Sequence, residues 1–124
     1  MGKIFYVMGK SASGKDTIYK KILEQLSELK TVTLYTTRPI RDGEKEGVEY
    51  YFTDEAQLRK YRDEGRIIEE RTYETVYGPW TYFTADDGQI DLKADNYYLM
   101  IGTLESYEKT RKYFGKEGLI PIYV

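Results

Sequence analysis

Two glycines with four residues between them and a lysine directly after the second stand near the amino terminus, in Gly9-Lys10-Ser11-Ala12-Ser13-Gly14-Lys15. The spacing G-x-x-x-x-G-K lets a short loop wrap an anion so that successive backbone N–H groups converge on it. Glycine at the ends removes the Cβ that would obstruct the turn. A helix starting behind the loop adds the positive end of its dipole, and Lys15 adds a point charge suited to the β and γ phosphates of a nucleotide. After the lysine, where a hydroxyl ordinarily helps to hold a divalent cation, the chain has Asp16 and then Thr17. Asp16 either binds the Mg²⁺ that accompanies a nucleotide, or caps the helix and leaves that contact to Thr17 or water. The plainer alternative is a Gly/Ser turn ending an ordinary strand. An apolar strand before the segment and an amphipathic helix after it favour the phosphate loop.

Arg38 and Arg41 sit three apart in a loop with Pro39, Asp42, Gly43 and Glu44, and Tyr50 follows nearby. Two guanidinium forks and a phenol are donors that suit a second phosphate. Alone, the loop reads better as solvated charge, its arginines pairing with Asp42, Glu44 and Glu46. Beside a phosphate loop, an anion clamp suits the acceptor of a kinase, which must be held facing the donor. The chain has no histidine and no cysteine. That excludes an imidazole base, His or thiolate metal sites and disulfides. Carboxylates, lysine, arginine, hydroxyls, backbone amides and a cation arriving with substrate remain. This set suits phosphoryl transfer, where positioning and charge stabilisation dominate.

These residues need a scaffold. Ile4–Met8 is a continuous apolar run, as in a strand buried on both faces. From Asp16 to Leu29, Ile18, Ile22, Leu23, Leu26 and Leu29 recur at helical spacing. Thr31 to Thr36 predicts a second strand, and Thr37 to Glu44 a polar loop. Glu49–Phe52 predicts a short strand, followed by a helix from Thr53 or Asp54 to Glu64, closed by Gly65. Ile67-Ile68 and Tyr73–Tyr77 suggest a small antiparallel region, and Thr81–Asp95 a loop with one helical stretch. Tyr97–Ile101 predicts a strand, and Thr103–Phe114 a helix with Leu104, Tyr107, Arg111 and Phe114 on one side. Leu119–Val124 predicts a last strand. Strand, helix and strand alternating at both ends imply an α/β fold with a parallel sheet. Residues 1–36 and 83–124 would form this core, and 37–82 an inserted small β-rich subdomain.

At 124 residues the chain has the size of one domain. Its net charge of −2 offers no basic excess for nucleic acid. No apolar run reaches the ~20 residues of a membrane span, and residues 1–8 do not resemble a signal peptide. A cytoplasmic protein without nucleic-acid or membrane partners is expected; composition leaves the oligomeric state open. The 14 tyrosines suit half-buried sheet positions, as β-formers with a polar tip.

The stretch Thr36-Thr37-Arg38-Pro39-Ile40-Arg41-Asp42-Gly43-Glu44, then Gly47, then Tyr50-Tyr51-Phe52, resembles the GMP-binding segment of the guanylate kinase family. Ile67-Ile68-Glu69 and Tyr77-Gly78 fit as well. The resemblance covers the whole chain and is densest over residues 4–78. It implies a P-loop core with an acceptor-binding insert, ATP with Mg²⁺ as donor and GMP as acceptor, giving ADP and GDP. It assigns the residues from Gly9 to Thr17 to ATP, and Lys15, Arg38 and Arg41 to catalysis. Arg38, Arg41, Tyr50 and Tyr77 would hold the GMP phosphate. Glu69 would accept hydrogen bonds from guanine N1–H and the 2-amino group, two donors that adenine does not present together.

Several positions depart from the family. The serine four residues before its first arginine, which helps read guanine, is Leu34 here. Pro79 and Trp80 follow Tyr77-Gly78, leaving Thr81 as the nearest hydroxyl. The aspartates at the end of the strand Tyr97–Ile101 are Met100 and Gly102. The family's arginine-bearing lid and closing helices would come after the last strand, so this chain alone is expected to be a weak or inactive kinase. Two other readings compete. One is a family member that has lost catalysis and binds a nucleotide or a phosphorylated or acidic peptide; the other is a P-loop kinase for another small acceptor, which Leu34 and Pro79 would permit.

Overall fold

The computed structural model of the chain describes residues 2–9 and 14–124. In chain order it forms β1 (Lys3–Met8), α1 (Lys15–Gln25), β2 (Lys30–Thr31), β3 (Tyr35–Thr36), β4 (Tyr51–Phe52) and α2 (Glu55–Asp63). Then come β5 (Ile67–Thr75), β6 (Gly78–Ala85), β7 (Tyr97–Gly102), α3 (Leu104–Phe114), a 3₁₀ turn at Lys116–Gly118 and β8 (Leu119–Tyr123). Two compact units result, one built from the chain up to Val32 and from Gly88 onward, the other from Thr33–Asp87.

The first unit is organised by a four-stranded sheet in the order β2-β7-β1-β8, every pair parallel. Apolar runs make this possible, because a parallel strand covered on both faces needs apolar residues on both. Ile4, Val7 and Met8 of β1, Tyr98, Leu99 and Met100 of β7, and Leu119 of β8 are all buried. The helix α1 packs on β1 and β7, and α3 on β1 and β8. Thr103 caps α3, its side chain accepting from the Ser106 N–H. The buried face of α3 is set by Ser106 and Thr110, whereas Leu104 is half exposed and Arg111 faces solvent. The expected stripe of Leu104, Tyr107, Arg111 and Phe114 is therefore rotated toward two small residues. Thr110 satisfies its buried hydroxyl on the Ser106 carbonyl at 2.8 Å. No helix among the described residues is long and apolar enough to cross a membrane.

The second unit carries a sheet in the order β4-β3-β6-β5, antiparallel except for the β3–β4 pair. The helix α2 starts where expected, with the Asp54 side chain accepting from the Gln57 N–H at 2.9 Å. Its Leu58 is fully buried with Phe83 and Ala85, and Tyr35, Tyr61 and Ile67 pack around them. Tyr35 stacks on Phe83 at 5.0 Å and donates its hydroxyl to Asp87 at 2.6 Å, so a tyrosine serves core and polar edge at once.

The parallel α/β sheet with a smaller β-rich region agrees with the expected fold, but several boundaries differ. The segment Thr31–Thr36 is two short strands, not one: Thr31 pairs with Leu99 in the first sheet and Thr36 with Tyr82 in the second. The units consequently divide after Val32 and after Asp87, rather than after residues 36 and 82. Residues 81–85, expected as loop, belong to β6, which pairs with β5 in a hairpin and on its other edge with β3, a long-range pairing that local pattern does not register. The helix α1 stops at Gln25, since β2 begins at Lys30 and the residues between them must turn.

Candidate functional site

The two phosphate-handling regions read from the sequence fall in different units, and each is built on its own scaffold. Of the loop following β1, Gly9 and Gly14 lie among the described residues, while Lys10, Ser11, Ala12 and Ser13 lie outside them. Gly14 caps α1 with φ +89°, a left-handed conformation that a side chain would strain, which accounts for glycine at this position. Lys15 opens the helix, and its Nζ donates to the Gly9 carbonyl at 3.1 Å. The ammonium thus ties the start of α1 to the end of β1. Asp16 and Thr17 are exposed on the first turn of α1. Among the described residues no group of three or more acidic, His or Cys side chains could hold a metal ion. Asp16 is an exposed carboxylate in the first turn of α1, the kind of group that a Mg²⁺ ion carried by nucleotide phosphates commonly takes as a ligand.

The strand β7 ends at Gly102, one of the positions where the family has an aspartate. A Cβ there would lie 2.5 Å from the Tyr6 hydroxyl, and Tyr6 is itself buried, edge-to-face on Tyr107 at 5.6 Å. The tyrosine takes the space a carboxylate would need. We expect Gly102→Asp to destabilise the protein by about 1–3 kcal/mol, the usual cost of overpacking, with Tyr6→Phe, which removes the hydroxyl nearest that position, relieving part of it in the double variant. Urea unfolding of the single and double variants measures this. A harmless Gly102→Asp would mean that Tyr6 yields.

In the second unit, Arg38 is the most constrained residue of the loop after β3, at 4% exposure. Its Nη1 and Nη2 donate to the two carboxylate oxygens of Glu44 at 2.9 and 3.0 Å, and its Nε to the Tyr82 hydroxyl at 3.2 Å. Nη1 also reaches the Pro39 carbonyl at 3.1 Å. The guanidinium lies over the rings of Tyr50 and Phe52 at 5.5 and 5.6 Å. Hydrogen bonds from Arg38 hold the Glu44 carboxyl at about 2, against an ordinary 4.5, with the Arg41 N–H adding to the effect. The same pair raises Arg38 further. Pairing with Glu44, which the sequence left as an alternative to anion binding, is thus present in full. Arg41 stays exposed, its guanidinium 6.0 Å from the Trp80 ring.

Beside this loop, one face of the β5–β6 hairpin forms the floor of a cleft of about 440 Å³. Tyr50, Arg71, Tyr73, Thr75, Trp80 and Tyr82 line it. Period-two alternation explains the membership: Arg71, Tyr73 and Thr75 share a face of β5, and Trp80 and Tyr82 oppose them on β6. Tyr50 is half-buried edge-on against Tyr82, and burial raises its hydroxyl above the ordinary phenol range. Glu69, two residues before Arg71 on β5, is buried at 3% exposure. It accepts from Thr84 Oγ1 at 3.3 Å and lies 3.7 Å from Arg71 Nε.

Of the predicted acceptor residues, then, the fold brings Tyr50 to the cleft, Arg38 to its neighbours Tyr50 and Tyr82, and Glu69 to its neighbour Arg71. Tyr77 is 82% exposed at the hairpin tip, stacked on Trp80 at 6.0 Å. Thr81 is buried and shares a hydrogen bond with Thr72 at 2.8 Å, on the face opposite the cleft floor. Sequence reasoning passed over Arg71, Tyr73 and Tyr82 as cleft residues. Their alternation is visible in the sequence, but the strand that pairs with them was not.

Comparison with known proteins agrees with this architecture. The guanylate kinase family model matches residues 1–83. A guanylate kinase of Legionella pneumophila (strain Lens) is 39% identical over 79 residues, 64% of this chain and 36% of that protein. One of Chlorobium chlorochromatii (strain CaD3) is 30% identical over 119 residues, 96% of this chain and 61% of that protein. The chain therefore spans between about a third and three-fifths of the length of these curated relatives. The crystal structure of guanylate kinase from Anaplasma phagocytophilum shares the fold with a TM-score of 0.69 at 24% identity, covering 98% of this chain and 58% of that one.

Proposed function

Because the chain belongs to the guanylate kinase family, we propose that it binds ATP and GMP and serves transfer of the ATP γ-phosphoryl group to GMP. One observation carries this reading. Tyr50, Arg71 and Tyr82 line one cleft, and the buried carboxylate of Glu69 lies 3.7 Å from Arg71 Nε, all within a single compact unit, an arrangement that suits an acceptor nucleotide. Arg38, Arg41 and Tyr50 hold the GMP phosphate, and Glu69 accepts from guanine N1–H and the 2-amino group. A base lacking those donors would offer the buried carboxylate no hydrogen bond of its own. The loop amides and Lys15 hold the ATP phosphates.

In the transfer an acceptor phosphate oxygen attacks the γ-phosphorus in line, and the bond to the β–γ bridging oxygen breaks to release ADP. Little covalent work falls to the protein: its cations position the two nucleotides and offset the charge gathering on the transferring group. Mg²⁺ bound to the donor phosphates would neutralise part of that charge, with Asp16 the carboxylate placed to contact it.

Titration calorimetry of the chain with GMP and with AMP tests the acceptor half of this reading. We expect GMP to bind and AMP to bind at least about tenfold more weakly, as missing donors to a buried acceptor would require. Equal affinities would refute the guanine assignment. A second reading, an acceptor-binding module without turnover, is favoured by the Tyr6–Gly102 contact, which leaves no carboxylate at the end of β7. A coupled assay for ADP separates the two: GMP binding without GMP-dependent ADP release selects the module.

A further inference from the structure

Guanine presents two donors, the 2-amino group and N1–H, followed by an acceptor, O6, with N7 beyond it. A carboxylate matches the donors and leaves O6 needing an N–H or O–H. The usual source is missing here: the position where the family has a serine is Leu34, a hydrocarbon. Thr81 does not replace it, since its hydroxyl is held by Thr72 at 2.8 Å.

Arg71 stands where a donor is needed. It lies on the same face of β5 as Glu69, two residues further on, and lines the cleft with Tyr73 and Trp80. Its Nε lies 3.7 Å from Glu69 Oε2, close enough for an ion pair and too far for a hydrogen bond. That Nε is buried without a hydrogen-bond partner, and the side chain as a whole keeps 27% of its surface exposed. The donors left for a ligand are those of the two outer nitrogens.

A carboxylate and a guanidinium side by side read, in order, acceptor, acceptor, donor. This is the complement of guanine's edge. The geometry points to Arg71 as a specificity-determining residue of the acceptor site, donating to guanine O6, with N7 within reach of the same fork, while Glu69 takes N1–H and the 2-amino group. This rests on the acceptor reading above. Adenine would meet Arg71 with an amino group, placing donor against donor. Arginine is the side chain best suited to the O6/N7 pair, and such a contact discriminates between bases by about fivefold to a hundredfold. Tyr73 and Trp80 supply flat faces alongside for the base.

The test uses the full chain, with quenching of its single tryptophan, Trp80, as the signal, checked by calorimetry. Three probes are compared: GMP, 6-thio-GMP (a poorer acceptor at C6) and inosine monophosphate (which keeps O6 and N1–H and lacks the 2-amino group). The wild type is expected to prefer GMP over 6-thio-GMP by about fivefold or more. In Arg71→Met, GMP affinity should fall about tenfold or more, and the preference over 6-thio-GMP should shrink to within about twofold. The preference for GMP over inosine monophosphate, which reports Glu69, should persist. If Arg71 only neutralised Glu69, all three affinities would fall together with their ratios kept, and that result overturns the proposal. Equal wild-type affinity for GMP and 6-thio-GMP overturns it without any variant, should Arg71→Met not fold. A wild type that binds none of the three probes would instead sink the acceptor reading itself.

Discussion

On the proposed transfer function, Lys15→Ala is expected to lower whatever GMP-dependent ADP formation the chain supports by about 10²–10³-fold, the loss that follows removal of one preorganised donor from a transition state gathering charge. ATP affinity should fall by a smaller factor, about tenfold or more, the worth of a charge-assisted hydrogen bond. The structure indicates why the fold should tolerate this change. The only hydrogen bond that Lys15 Nζ makes among the described residues is to the Gly9 carbonyl, on a half-buried side chain at the start of α1. Alanine is a good helix former there. Calorimetry with ATP and a thermal melt of the variant separate the two effects. Unchanged ATP affinity would show that the loop does not hold the donor phosphates.

Arg38→Ala should have the second large effect, and on the other nucleotide. GMP affinity is expected to fall about ten- to hundredfold while ATP affinity is retained, since a guanidinium paired with phosphate makes charge-assisted hydrogen bonds. Loss of both affinities in equal measure would count against a separate acceptor clamp. This variant also loses stability, because four hydrogen bonds and two ring contacts converge on one buried side chain. The Glu44 pair leaves a signature in pH. Glu44 ionises at about 2 in the fold against an ordinary 4.5. Its contribution to stability is therefore complete above about 4.5 and is lost as pH falls from there toward 2. Urea unfolding of the wild type and Glu44→Gln should differ at pH 7 and converge only as pH falls to about 2. A constant difference across that range would mean that the pair is not ionic.

The same pair bears on mechanism. Nη1 and Nη2 of Arg38 are both engaged by Glu44, so in the proposed acceptor role a bidentate grip on the GMP phosphate would require Glu44 to give way, whereas exposed Arg41 could meet the phosphate first. On that role the geometry implies an ordered approach through Arg41. Arg41→Ala should therefore slow GMP association more than it speeds dissociation, as stopped-flow measurement on Trp80 fluorescence would detect.

Much of this protein was legible without its fold. The entry to α1 depends on local backbone chemistry: glycine where φ must be positive, at Gly14, and lysine directly behind it. The helices announced themselves through caps such as Asp54 and Thr103 and through their apolar spacing. Both kinds of signal are confined to a few neighbouring residues, so composition and spacing express them completely. Three matters required the tertiary structure. The run Thr31–Thr36 is uniformly extended, and only pairing partners far along the chain decide that it serves two sheets. Residues 78–85 become a strand through pairing with β5, and that pairing sets Arg71, Tyr73, Trp80 and Tyr82 on one face and Thr72 and Thr81 on the other. Whether Arg38 meets Glu44 or solvent, and whether a glycine or a carboxylate fits beside Tyr6, depends on distances between residues that are remote or differently oriented. Local sequence determines which groups are available; the long-range register of strands determines which of them face each other.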